Sequence, residues 1–349
     1  MSVSKITSLS ISSISKIYGI ELSNISSIYG QTISIASTWL DGWDYRKSIT
    51  LSRASGAVTN YQMKVLVGES SGATGEDVDC DGKCLSSFND IRFTTSDKTT
   101  LLDYWIESIS GTTPNQLATV WVEFDSIGTG DTTFYMYYGK ADASAASNGV
   151  NTFIAFDDFE WGANGTDLTT GTNIAWTKNI GNTPTISTAV KYGGTRSALI
   201  PYHATYTLIV CSSEVVNVSI EVQFYKANTT DYNRISVYDG TKAAYIIIDT
   251  NENIKDSNSV DTGYDANADT FNRFALNNLN WESSTYDIWH NGIKIKSDAG
   301  MRASTAFTDS ISFLGSNNNP NPTYIDNFFV RNWRSTEPAW GSWGTEETT

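Results

Sequence analysis

From Trp39 to its end the chain is a succession of short apolar and aromatic runs broken by Gly, Asp, Asn and Ser. "YQMKVLV", "DIRFTTSD", "LLDYWIESIS", "LATVWVEFDSI" and "TTFYMYYG" are each about 5–8 residues long with partial alternation, and polar turns separate them. The pattern continues in "VNVSIEVQFYKA", "NRISVYDGTKAAYIIID" and "STYDIWHNGIKIKSD". Asp239-Gly240 and Asn291-Gly292 stand where hairpins must turn. No stretch carries sustained helical periodicity. The expected fold is all-β: two β-sandwich domains in series, since 349 residues exceed what one core usually supports.

The first 38 residues differ. Ile14-Ser15-x-Ile17-Tyr18-Gly19 returns eleven positions later as Ile25-Ser26-x-Ile28-Tyr29-Gly30. Within a unit, Ser23 is placed to cap a helical turn. Ile25 and Ile28 lie three apart, and Gly30 suits a left-handed stop. Such a unit buries almost nothing alone and needs neighbours along the chain or in other copies. Two readings stand: an N-terminal strand packed on the next domain, or a segment for docking and oligomerisation. In the second, Ile14, Ile17, Tyr18, Ile25, Ile28 and Tyr29 are the assembly residues. The expected division is residues 1–38 as repeat and anchor, 39–150 as a small sandwich, and 151–349 as a jelly roll.

Charge narrows the function. The formal net charge is −15, which opposes binding to nucleic acid or anionic lipid through bulk electrostatics. No apolar run reaches the roughly 18 residues of a membrane helix. Serines interrupt the early apolar pairs, so no signal-peptide core is expected. Cys80 and Cys84 either close a tiny loop or are two reduced thiols, and with Cys211 they form no disulfide framework.

Catalytic patterns are missing. A retaining glycosidase needs two carboxylates about 5–5.5 Å apart, and no Glu-x-Asp-x-x-Glu strand is present. Asp249 and Glu252 fall on opposite faces or in a turn. His203 and His290 are far apart in sequence, and His290, beside a turn, is expected to be solvated. No nucleophile elbow, phosphate loop or zinc spacing occurs. The expectation is a non-enzymatic protein.

Two acidic sets are placed for calcium, as structural Ca²⁺. In "EDVDCDGKC", Asp77, Asp79 and Asp81 alternate before Gly82, like the opening of a calcium loop, although Phe88 stands where the closing Glu belongs. The second set is Asp158 and Glu160 of "FDDFE" and Asp326 of "YIDNF", hard oxygen donors near the two ends of residues 151–349. For sugars, aromatics beside polar turns are the candidates: Tyr232 with Arg234, and Trp281 with Asn278 and Asn280.

"WDYRKSITL", "FNDIRFTTSDKTTLLDYWIE" and "TFYMYYGKADASAASNGVNTF" resemble the domain of unknown function DUF2341. The resemblance implies a small β-sandwich of modular surface proteins, with no established chemistry. "YDIWHNGIKI" and "YIDNFFVR" make residues 151–349 similar to the concanavalin A-like lectin/glucanase superfamily in its laminin-G-like form. That resemblance implies a glycan-binding jelly roll, with a structural Ca²⁺ held by Asp158, Glu160 and Asp326 where first and last strands meet. The Ile-Ser-x-Ile-Tyr-Gly repeat resembles short repeats of tailed-bacteriophage structural proteins. It implies a virion surface protein (head fibre, decoration or tail receptor-binding protein) that contacts capsid or tail proteins through its N-terminus. Self-association, as a trimer, and binding to cell-surface or environmental glycans follow from the same resemblance. The alternatives are a cellular surface adhesin or extracellular filament subunit, and a glycan-degrading enzyme.

Overall fold

The fold is described from a computed structural model. It covers residues 39–70, 75–201, 208–226, 232–315 and 322–349, with four two-residue strands in the N-terminal segment. Those four form two antiparallel pairs, Lys16–Ile17 with Ile20–Glu21 and Ser27–Ile28 with Gln31–Thr32. Each repeat thus contributes paired extended backbone, and the expected helical turn is corrected at Ser27 and Ile28, which are extended. β-Branched Ile prefers extended backbone, and Ile17 pairs with Ile20 as Ile28 does with Gln31, leaving Tyr-Gly between the partners. Ile14, Tyr18, Ile25 and Tyr29 lie outside the described residues, as does His203.

The first sandwich has two sheets. Sheet I orders β6 (Tyr104–Ser110), β7 (Leu117–Ile127), β2 (Val58–Gly68) and β3 (Val78–Asp79). Sheet II orders β1 (Tyr45–Ser52), β8 (Thr132–Tyr138), β4 (Arg92–Thr94) and β5 (Leu101–Leu102). Alternation decides the faces: Tyr61, Met63, Val65 and Val67 of β2 join the core with Val120, Val122 and Phe124 of β7. Cys80 is buried in this core, and Cys84 packs against it; both are free thiols.

A short helix, α1 (Gly149–Thr152), leads into the second sandwich. Its sheet III orders β11 (Thr185–Ser187), β12 (Ser197–Ile200), β24 (Thr323–Asn332), β14 (Val218–Lys226), β19 (Phe271–Asn280), β20 (Thr285–His290) and β21 (Ile293–Gly300); β9 (Ala155–Asp157) also pairs with β24. Sheet IV orders β10 (Thr177–Ile180), β13 (Leu208–Ser212), β23 (Ser310–Leu314), β15 (Asn233–Tyr238), β16 (Lys242–Ile248), β17 (Asn253–Lys255) and β18 (Asp261–Asp265); β22 (Arg302–Ala303) pairs with β16. Between them lies the larger core, including Trp176, Phe224, Tyr286, Phe313 and Phe328. Both expected hairpins form. Asn291 and Gly292 hold φ of 48° and 80°, the mirror-image turn that matches strand twist.

The sandwiches stack face to face. Trp105 and Trp121, on the outer face of sheet I, meet Phe153, which follows α1, Phe156 of β9 and Phe329 of β24. Ring centroids are 4.8 Å apart for Trp105–Phe156 and 5.2 Å for Trp121–Phe329, both edge-to-face. This explains why β24 is buried along nearly its whole length: one face looks into the sandwich core, the other onto the first sandwich.

The chain's end departs from the expected 151–349 unit. β25 (Ala339–Trp340) and β26 (Glu347–Thr348) return to the first sandwich and pair with β1. The Gly341 and Gly344 amides donate to Thr50 and Ser48 carbonyls, each over 2.8 Å. A Cβ on Gly341 would lie 2.1 Å from Thr50 Oγ1 and 3.1 Å from the Thr50 carbonyl oxygen, so a larger residue would force Thr50 to shift. Trp340 and Trp343 then cover the first core.

Candidate functional site

Trp281 and Asn278 share one cleft, lined also by Val216, Asn217, Asn280, Glu282 and Trp333, with a volume near 330 Å³. Local backbone builds it. β19 carries a register shift between Asn277 and Asn280, with Asn278 at φ 54°. That bulge turns Asn278 and Asn280 towards the cleft's wall while Leu279 stays in the core. Trp281 packs on the core edge, and its indole donates to the Val215 carbonyl over 3.1 Å. Lys242 donates to the Trp281 carbonyl. Opposite, the Trp333 amide donates to the Asn217 carbonyl over 2.8 Å, and Arg334 Nη1 donates to the carbonyls of Asn217 and Trp333. Both tryptophans are half-buried, held from behind, with amides and the exposed Glu282 around them. Flat apolar rings with polar amides at the rim suit a sugar ring. Sequence reading missed Trp333, Asn217 and Glu282, because Trp333 follows a strand that ends elsewhere in the chain.

Tyr232 and Arg234 are not in this cleft. They lie with Tyr238, Tyr245 and Phe307 on the face of sheet IV turned away from the core. The Arg234 guanidinium stands 4.3 Å over the Tyr245 ring. Beneath, Ser236, Ser310 and Ser312 occupy adjacent register positions on the same face, and their buried hydroxyls lack partners among the described residues.

The calcium expectation does not fit the residues. Asp77 Oδ2 accepts from the Leu66 amide over 2.8 Å, away from its neighbours. Asp79 Oδ1 accepts from Lys47 Nζ at 3.0 Å, and Asp81 Oδ2 lies 3.6 Å from the same ammonium. Burial works to raise Asp79, but Lys47 wins and holds it below the usual range. Lys47 therefore supplies the positive charge that a calcium ion would. In the second set, Glu160 accepts from the Thr195 and Arg196 amides and from Arg196 Nη1. Burial alone would raise Glu160, yet these donors hold it low. Asp158 is raised by burial, and its Oδ1 accepts from the Glu160 amide. Asp326 accepts from the amides of Tyr192, Gly193 and Asn327, while burial pushes its carboxyl up to about 7. Among the described residues no three His, Cys, Asp or Glu side chains converge as metal ligands. The acid of "FDDFE" with the strongest role is Asp157, not foreseen. It is fully buried and accepts from the indoles of Trp161 and Trp176.

His290 is also corrected. It ends β20, is buried, stacks on Phe274 at 5.0 Å and faces Asn272 Oδ1 at 2.9 Å. The turn proper begins one residue later. Asp249 sits in a turn, accepting from the Asn251 and Asn253 amides.

The family model of a domain of unknown function, DUF2341, matches residues 87–179. The match starts after "WDYRKSITL" and runs past residue 150. It takes in Trp105, Trp121, Phe153 and Phe156, so the matched unit straddles the junction between the sandwiches. Comparison with curated proteins gives no match. Solved structures to which the chain shows similarity include carbohydrate-binding modules and glycoside hydrolase domains. Domain 4 of AbnA, an extracellular arabinanase from Geobacillus stearothermophilus in complex with arabinotriose, is 16% identical, covering 52% of this chain and 92% of that one, with TM-score 0.37. The module CBM66 from Bacillus subtilis is 8% identical, covering 45% and 94%, with TM-score 0.31. β-Agarase A from Zobellia galactanivorans is 10% identical, covering 53% and 90%, with TM-score 0.31.

Proposed function

We propose that this chain is a non-enzymatic adhesion protein of a virion surface, whose second sandwich binds glycans in the Trp281–Trp333 cleft. One observation carries the sugar reading: two half-exposed tryptophans, Trp281 with its indole tied to the Val215 carbonyl, line one 330 Å³ cleft together with Asn217, Asn278 and Asn280. Stacking on the rings supplies affinity and the amides read hydroxyl geometry. The carboxylates nearest the cleft reduce to Glu282, so no paired acids support hydrolysis there. The virion part rests on the N-terminal Ile-Tyr-Gly repeat, whose paired strands are too short to form a core of their own.

The test is a panel of neutral oligosaccharides titrated calorimetrically into the full chain. Binding that falls at least about tenfold in both Trp281→Ala and Trp333→Ala supports the cleft. Binding to no sugar, or unchanged affinity in both variants, overturns it. A reducing-sugar assay on the bound oligosaccharide tests the enzymatic alternative. Antibody labelling of purified particles, against labelling of cell envelopes, decides between virion and cellular adhesin.

A further inference from the structure

A second cavity lies where the two sandwiches meet. It has a volume near 630 Å³ and is bounded on one side by Glu107, Ser108 and Ile109 of β6, the edge strand of sheet I. Residues 189–194, between β11 and β12, form the other wall.

The walls are fixed before any ligand arrives. Arg273 bridges Glu107 to Glu221 beside the cavity. The Tyr192 and Gly193 amides donate to Asp326 Oδ2 over 2.7 and 3.2 Å, and the Tyr192 ring meets Phe271 edge-on at 5.8 Å. Gly194, at φ 53°, passes so close to Glu160 that a Cβ would stand 2.2 Å from its Oε1. Preformed walls lower the entropy cost of binding.

What faces the opening is unusual. Tyr192 is 45% exposed and Ile109, on the other wall, 41% exposed. Lys191 is exposed and has no ion pair or hydrogen bond among the described residues. Behind Gly193 lies Asn327, 95% buried by its 5% exposure, in the left-handed region at φ 43°. Its Nδ2 has no partner among the described residues and lies 3.5 Å from where a Gly193 Cβ would stand. A buried amide without an acceptor is costly unless something else supplies one. The nearby acids do not supply it. Glu107 accepts from Trp121 and Arg273, Asp326 from the 192–193 backbone, and Glu160 from Thr195 and Arg196. The free polar groups are therefore donors, beside an exposed aromatic ring.

We propose that this crevice binds a carboxylated saccharide, with Lys191 pairing the carboxylate, Tyr192 stacking on the sugar ring, and both sandwiches contributing contacts. The first sandwich then forms one wall of a binding site through Ser108 and Ile109. The net charge of −15 opposes an anion only at long range, because charges beyond about 8 Å are screened at physiological salt. This site is separate from the Trp281–Trp333 cleft, which offers amides and a carboxylate and no free cation.

The test uses the full chain and two probes: a galacturonic acid tetramer and the same tetramer fully methyl-esterified. Calorimetry should show the acid form binding at least about tenfold more tightly, weakening as salt is raised. Lys191→Gln should remove most of that preference, and Lys191→Arg should keep it. Lys191 is exposed, so these variants should fold. Equal binding of both tetramers, no binding at millimolar concentration, or a preference untouched by Lys191→Gln overturns the proposal.

Discussion

Arg273 of the second sandwich donates through Nη1 to Glu107 Oε1 of the first, over 2.7 Å, and through Nη2 to Glu221 Oε2 over 2.6 Å. Arg331 completes the set, with Nε on Glu221 Oε1 at 2.9 Å and Nη1 on Glu337 Oε1 at 2.8 Å. Glu107 also accepts from the Trp121 indole, and both guanidiniums lie within 6 Å of that ring. The sandwiches are thus joined by charge as well as by aromatic packing. Arg273→Met would leave two buried carboxylates short of a partner, at a cost of about 3–5 kcal/mol. Urea unfolding should show that loss, and Arg273→Met with Glu107→Gln and Glu221→Gln should recover part of it. A loss below about 1 kcal/mol in Arg273→Met would show that the bridge does not hold the domains.

Stability should peak in mild acid. Burial works to raise Glu221, but Arg273 and Arg331 prevail and pull it down to about 2. An acid with a depressed folded pKa contributes stability above its unfolded value near 4.3, lost as pH falls towards 2. Asp157 and Asp326 are the reverse. Burial pushes them up to about 6 and about 7, so each favours the folded state when protonated. Their contribution declines as pH rises from about 4 to 7. The melting temperature is expected to be highest near pH 4–5 and to fall on both sides. Asp326→Asn should flatten the limb between pH 4 and 7. A melting temperature that climbs steadily to pH 8 would contradict this.

Strand alternation and turn dipeptides made the all-β fold legible, because they are local signals. That Trp281 and Asn278 line one cleft follows from local signals too: an aromatic beside amides at a strand's end. Their partner Trp333 was not legible, since it reaches the cleft only through the pairing of β24 with β14. Calcium was expected because acids alternate in "DVDCDG", yet the ammonium that neutralises them comes from Lys47, 32 positions upstream of Asp79. The place of the closing segment was hidden likewise. Nothing local in "AWGSW" says that it belongs to β1, almost 300 residues earlier.

That returning segment makes a testable claim about the first sandwich. Trp340 meets Phe124 edge-on at 5.9 Å and stacks with Trp343 at 6.2 Å, while Tyr138 Oη donates to Glu346 over 2.7 Å. Arg46 Nε donates to Glu347 over 2.8 Å. Trp340→Ala should therefore destabilise the first sandwich by about 2–4 kcal/mol. Removing residues 333–349 should expose residues 39–150 to proteolysis before the second sandwich is cut. Equal resistance in the shortened and full chains would show the segment to be an appendage.

The N-terminal segment tests the assembly reading. Fully burying Ile14, Ile17, Ile25 and Ile28 would contribute about 1.5–3 kcal/mol each, yet hairpins of two-residue strands have no core in which to do so. Leaving them in water would create an apolar patch that soluble monomers avoid. Downstream, β1 finds its partners in β8, β25 and β26, all beyond residue 130, so sheet II closes without the repeat. A chain beginning at Trp39 should be β-rich, folded and monomeric by light scattering, while the full chain self-associates through residues 1–38. A shortened chain that keeps the oligomer, or that fails to fold, would place the repeat inside a domain core and refute its role in assembly.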